Sequence, residues 1–301
     1  IFFVISGYLI TSIILNDLKT NSFVLTSFYK RRARRILPAL YVVTLAVLIL
    51  SICFFLPIFL ISSAKSALSV PIFLSNFYFW LERGYFGTPY EFKPLLHTWS
   101  LAVEEQFYIF FPILLIVLFK FRKVFLIGFI LFIFFISLIG SYYVTQLHTD
   151  TAFFLPFTRI WEILIGVFCA FTLNSNRSDL NKTIINQSYF NADILSLLGL
   201  AMIMFCVLYF DSTMLYPHIY ALLPTIGCMI FILFSNKSRV IKYIFEVKPL
   251  IWLGLISYSL YLFHFPIFAF AKYLNIFDEN KIKFSLLALI ISIISYFFIE
   301  R

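Results

Sequence analysis

Nine apolar runs, at about 1–15, 39–60, 100–119, 124–145, 154–173, 194–210, 218–234, 250–271 and 284–299, leave this chain only one suitable solvent. A helix that crosses a bilayer needs roughly 17–25 such residues, and in hydrocarbon only helices and closed barrels satisfy every backbone N–H and C=O. The strict alternation of a barrel strand is absent, so the runs predict an all-α fold, a polytopic transmembrane helix bundle. Composition agrees: 62% of residues are hydrophobic, 41 are Phe and 12% are charged, more apolar surface than a soluble domain could hide. The net charge of +9 does not imply nucleic acid, because the cations are distributed among the connections between runs.

That distribution sets orientation. Sixteen Lys and Arg lie in 16–38, 120–123, 174–193, 235–248 and at the last residue, against six in the opposite connections. The positive-inside rule makes the first set cytoplasmic. The first run then passes inward, an upstream span is expected, and the complete core should have ten helices. Residues 1–301 read as one membrane domain truncated at both ends. The external connection 61–98 contains SVPIFLSNFYFWL (69–81), broken by Pro71 and expected as a re-entrant or interfacial helix. The polar stretch 174–193 is expected as a cytoplasmic loop. Cys53, Cys169, Cys206 and Cys228 fall in apolar runs without metal-type spacing, and no metal site is signalled.

Four motifs could carry chemistry. HTWSLAVEEQFY (97–108) puts adjacent carboxylates, Glu104 and Glu105, at the head of a lipid-compatible run. Intramembrane charges are costly and are functional candidates by default. On a helix His97, Ser100, Glu104 and Tyr108 share one face, so Glu104 rather than Glu105 is expected beside His97. Trp99 reads as part of an aromatic belt. In a partly dry site such a glutamate can handle protons; at a wet boundary it is only a solvated helix start. FYKRRARRILP (28–38) places Arg32 and Arg35 one turn apart, with Arg31 adjacent, as guanidinium forks suited to phosphate. The alternative is a topology anchor on anionic lipid. FTRIWEILIG (157–166) offers Arg159 and Glu162 as an internal ion pair, either a structural tie or the lining of a polar cavity. YSLYLFHFP (258–266) aligns Ser257, Tyr261 and His264 on one face, for helix packing or for catalysis. By topology the glutamates belong near the external side and the arginines opposite.

In these motifs and their order, with FFVISGYLI (2–10) before them and SYFFIER (295–301) after, the chain resembles the membrane acyltransferase-3 family, bacterial enzymes that O-acylate cell-surface sugars. The resemblance implies a multi-pass protein of the bacterial cytoplasmic (inner) membrane. It implies an acyl-CoA donor, acetyl-CoA foremost, held from the cytoplasm by Arg32, Arg35 and Arg31, with no tightly bound cofactor. The acceptor would be a hydroxyl of a glycan or lipid-linked sugar. Glu104, Glu105 and His264 are the catalytic candidates, and His97, Trp99, Ser100, Tyr108, Arg159 and Glu162 would line the substrate cavity. The family's Arg and catalytic His on a helix preceding FFVISGYLI have no counterpart here, so the fragment is expected to be inactive alone. This form of the motif is similar to members whose core is followed by an extracytoplasmic SGNH-type domain, expected in the full-length chain. The rival class is a transporter or flippase of lipid-linked sugars, for which paired repeats and broken spans in matching halves would be expected and are not found.

Overall fold

A computed structural model describes residues 1–82, 88–119, 123–174, 188–211, 214 and 216–300. Among them every regular element is helical. In chain order the helices are α1 (Phe2–Lys19), α2 (Leu25–Phe54), α3 (Pro57–Ser69), α4 (Ser75–Leu81), α5 (Thr98–Phe119), α6 (Lys123–Leu147) and α7 (Thr149–Phe154). There follow α8 (Ile160–Asn174), α9 (Tyr189–Tyr209), α10 (Leu222–Ser235), α11 (Arg239–Phe245), α12 (Lys248–Leu255), α13 (Ser257–Tyr273) and α14 (Lys281–Ser295). Most of the polar stretch 174–193 lies outside the described residues.

Among the described residues six helices are long and apolar enough to cross a membrane: α1, α2, α5, α6, α9 and α14 with its last turn. Two more spans result if α10 with α11, bent by 101°, and α12 with α13, bent by 65°, each count as one. The ninth expected span, 154–173, falls short. Leu155 and Pro156 break its start, and the helix begins only at Ile160. Large apolar side chains such as Leu45, Ile52, Phe132 and Val207 are exposed along these helices, which is tolerable only if lipid is the solvent. Cys169, Cys206 and Cys228 are buried, whereas Cys53 is exposed.

The chain divides into two compact units, Ile1–Phe23 with Phe107–Val247, and Val24–Gln106 with Lys248–Arg301. In the first, α1 and α8 cross backbone to backbone. A Cβ on Gly7 would collide with the Ile163 carbonyl, and one on Gly166 with the carbonyl of Val4, so only glycine fits at either position. Small residues at such crossings let dispersion replace the hydrophobic drive that lipid cannot supply. Beside the crossing, Trp161 and Val4 are fully buried.

In the second unit α2 and α13 run parallel. Tyr258, at the start of α13, donates to the Ile36 carbonyl at 2.9 Å, while Phe55, just past α2, packs on Phe270 and Tyr273 with ring centroids 4.8 and 4.6 Å apart. The connection between α2 and α5 folds back on them. Ser51 and Ser63 hydroxyls lie 2.7 Å apart, Ser75 donates to the Thr98 carbonyl at 3.0 Å, and Gln106 donates to Phe73 O and Asn76 Oδ1 at 2.7 and 2.9 Å. Lys93, 4% exposed, pairs with Glu82 at 2.9 Å, and Ser62 donates to the same carboxylate at 2.5 Å. Burial pushes the Tyr78 phenol above its ordinary range, so it stays a donor, to Ser62 O at 3.0 Å. Of the stretch 69–81, expected as a re-entrant or interfacial helix, only Ser75–Leu81 is helical, as α4; a turn with Phe73 at φ 56° separates it from α3.

Candidate active site

The HTWSLAVEEQFY motif builds its site at the start of α5. Pro94 and Leu95 are buried, and the Thr98 hydroxyl donates back to Leu95 O at 2.7 Å, which turns the chain into the helix. His97 therefore sits just before the first helical turn, and Ser100 N donates to its carbonyl at 3.3 Å. Glu104 and Glu105 are 4% and 6% exposed, shielded from solvent by the protein around them. A carboxylate so placed must be paired, hydrogen-bonded or protonated, because desolvating it uncompensated costs several kcal/mol.

Helix α13 supplies the opposing surface. Tyr261 donates to His97 O at 2.6 Å, and its oxygen lies 3.0 Å from Ser100 Oγ. The His97 ring faces those of Tyr261, His264 and Phe265, with centroids 5.1, 5.8 and 5.2 Å away. The His97 ring is buried near the backbone of Pro94 and Leu262, and His264 Nδ1 lies 2.9 Å from Leu260 O. The two glutamates look in different directions. Glu104 is within electrostatic reach of Tyr261, and Glu105 of Tyr258 and Arg32. Next to Tyr258, Ser259 donates to Ser295 at 2.9 Å and to Glu300, whose carboxylate feels Arg35. Arg32 is half-buried, and Arg31 and Arg35 are exposed.

The arginine block and the glutamate pair, expected at opposite faces, therefore meet. The register explains why. From Ile36, beside Tyr258, to Phe55, beside Tyr273, α2 rises about 28 Å at 1.5 Å per residue. His97 pairs with His264, well short of the Phe55 end, so α5 begins deep alongside α2 and α13. The folded-back connection carries it there, and seven more residues bring Glu105 to the level of Arg32. Span-and-loop reasoning starts each helix at the membrane surface, and here that assumption fails.

Of the remaining candidates, Trp99 is half-buried, and Tyr108 is buried in the part of α5 that belongs to the first unit. Arg159 and Glu162 also belong to the first unit. Both are 2% exposed and joined at 2.5 Å. The Arg159 guanidinium is flanked by the rings of Phe3, Phe153 and Tyr216, 5.7, 5.2 and 4.7 Å away. Sequence reasoning missed Tyr258, Ser259 and Glu300. Ser257, grouped with Tyr261 and His264, instead donates to Gly254 O at 2.7 Å, while its neighbours one and two residues on turn to α2 and to the closing turn. Glu300, the lone carboxylate of an apolar closing stretch, was the signal available.

Residues 1–300 match the family described as "Acyltransferase domain". An uncharacterised protein of Haemophilus influenzae is 35% identical over 80% of this chain and 99% of its own length. The O-acetyltransferase OatA of Staphylococcus aureus is 29% identical over 99% of this chain and 51% of its own length. The peptidoglycan O-acetyltransferase OatA of Listeria monocytogenes is 33% identical over 89% and 44%. The chain thus spans about half the length of the O-acetyltransferases it matches. No solved structure matches it.

Proposed function

Because the chain belongs to the acyltransferase-3 family along residues 1–300, we propose that it is the membrane-embedded part of an O-acetyltransferase of the bacterial cytoplasmic membrane. It would take acetyl from acetyl-CoA on the cytoplasmic side and pass it to a hydroxyl of a cell-wall glycan, the acceptor class that the name of the Listeria relative carries. The observation that carries this reading is the convergence, inside one unit, of the arginine block with the buried glutamates and the His97–His264 pair.

Each group has a role that its position suits. Arg32 and Arg35, with Arg31 adjacent, present planar forks to the phosphates of the donor, as bidentate pairs that a lysine could not match. Held there, the thioester reaches Glu105 and Tyr258. Glu104, Tyr261, Ser100, His97 and His264 form the polar lining through which an acceptor hydroxyl approaches. Deprotonation of that hydroxyl by an imidazole or carboxylate makes it the nucleophile, a contribution of roughly 10²–10⁴-fold in general-base catalysis.

The test is transfer of labelled acetyl from acetyl-CoA to peptidoglycan fragments by membranes holding the full-length protein. Arg32→Ala and Arg35→Ala should raise the KM for acetyl-CoA, whereas Glu104→Gln and Glu105→Gln should lower kcat. Unimpaired transfer in all four variants would remove the assignment. Movement of sugar across the membrane with no acetyl incorporated would replace it with transport.

A further inference from the structure

The first unit carries a hollow of about 420 Å³, within the range of small-ligand pockets, that no step of the proposed reaction uses. Part of its lining is apolar, from Leu173 of α8 and Phe231 and Ile232 of α10, and part is charged, from Lys242 and Glu246 of α11. It lies at an elbow. α10 ends at Ser235, and α11 restarts at Arg239, turned by 101°. With α10 as a span, α11 runs nearly in the plane of the membrane surface, on the side to which the positive-inside rule assigns 235–248.

The elbow is held in place by its own contacts. Ser238 donates to Asp193 of α9 at 2.6 Å, as does Val240 N at 3.2 Å, and Ser238 Oγ accepts from Ile241 N at 3.1 Å. Ile241 is 3% exposed, and Phe245 packs on Phe231 with ring centroids 5.7 Å apart, so α11 is seated on the bundle. Spacing divides this short helix in two. Arg239, Lys242 and Glu246 share one face, and Val240, Ile241, Ile244 and Phe245 the other. Arg239 and Lys242 are exposed. Arg239 lies 4.2 Å and Lys237 5.5 Å from the Tyr189 ring, which gathers both cations at the elbow. Three cations thus stand against one carboxylate along 237–246, beside an apolar hollow at a membrane surface.

An acyl chain that leaves the bilayer for this hollow gains no hydrophobic energy, because one hydrocarbon environment replaces another. Selection among lipids falls to the headgroup, and the charge here favours an anionic one. We propose that the elbow between α10 and α11 binds an anionic phospholipid, with its phosphate on Arg239 and Lys242 and one acyl chain in the hollow against Leu173, Phe231 and Ile232. The lipid braces α11 against α8 and α10. This site is independent of the acetyl-transfer reading and stands if that reading fails.

The experiment uses the full-length protein in phosphatidylcholine nanodiscs, which leave both faces open to solution. They carry phosphatidylglycerol, or in a parallel sample phosphatidylcholine, with a photoreactive group on one acyl chain. After illumination the peptide that contains Phe231 and Ile232 should be labelled by the phosphatidylglycerol probe in preference to the other. A cation near anionic headgroups accounts for roughly fivefold in binding, so Lys242→Gln should lower that labelling about fivefold and its combination with Arg239→Gln about 25-fold. Lys281→Gln, on the opposite side of the membrane, should leave it unchanged. Equal labelling by the two probes, labelling that survives the double replacement, or a loss in Lys281→Gln as large as in Lys242→Gln would overturn the site. Should the double variant not fold, Lys242→Gln alone decides, since its side chain is exposed. Soluble acetyl-CoA or pyrophosphate should not compete with the probe. Displacement by either would assign the cations to a soluble phosphate and overturn the lipid.

Discussion

Arg159 with Glu162 in the first unit and the arginine–glutamate set of the second are built differently. In the first unit Arg159 and Glu162 lie three residues apart in sequence and make a short contact inside a collar of aromatic rings. Nothing about that pair invites a ligand. In the second unit Arg32, Arg35, Glu104, Glu105 and Glu300 come from α2, α5 and the closing turn, act on one another electrostatically, and include an exposed guanidinium. Electrostatic attraction is common to both. The closed pair neutralises itself within one turn, whereas in the function proposed above the spread network would meet the phosphates of a donor.

The contrast is sharpest when one partner is removed. Arg159→Ala leaves Glu162 buried and unpaired, and breaking a buried pair costs about 3–5 kcal/mol, so the protein should lose most of its thermal stability in detergent. A melting temperature equal to the unaltered protein's would mean the pair is solvated after all. Glu105→Gln should behave in the opposite way. The amide keeps the shape and removes a buried charge, so melting should hold while kcat drops by about 100-fold, roughly 2.7 kcal/mol in barrier. Arg35→Lys keeps the charge but loses the fork. A weakening of acetyl-CoA binding by about tenfold, roughly 1.4 kcal/mol, is expected in a direct binding titration, with melting unchanged. The mildest outcome belongs to the double replacement Arg159→Leu with Glu162→Met. Apolar replacement of a whole buried pair is often neutral, so stability and acetyl transfer should both stay near their starting values. If the double variant folds but loses transfer, the first cluster is part of the chemistry and the distinction drawn between the two collapses.

Local features of this chain were legible and distant ones were not. Apolar runs, prolines and the Arg159–Glu162 spacing are short-range signals, and they marked the helices and one ion pair. Even there, Pro156 shortened a run that hydropathy alone counted as a full span. The meeting of Arg32 with Glu105 depends on how deep α5 starts. That depth is fixed by contacts such as Gln106 with Asn76, Ser75 with Thr98 O and Tyr258 with Ile36 O, made between elements far apart in the chain. No periodicity encodes them. The serines of α3 and the connection's buried Lys93 were the nearest thing to a clue, since hydroxyls and a cation in an apolar connection signal that it is packed inside protein.

The Lys93–Glu82 pair bears on how the protein is made. Both partners lie in one connection, as Arg159 and Glu162 lie in one turn, so each pair can neutralise itself while its segment is still emerging from the ribosome. The arginines on α2 have no such recourse. Tyr258, Tyr261, His264 and Glu300 come far later in the chain than Glu104 and Glu105, and until they arrive the buried glutamates have no seam to face. The scaffold can be charge-balanced as it is threaded into the bilayer, whereas the candidate site is completed only once α13 and the turn that carries Glu300 have followed.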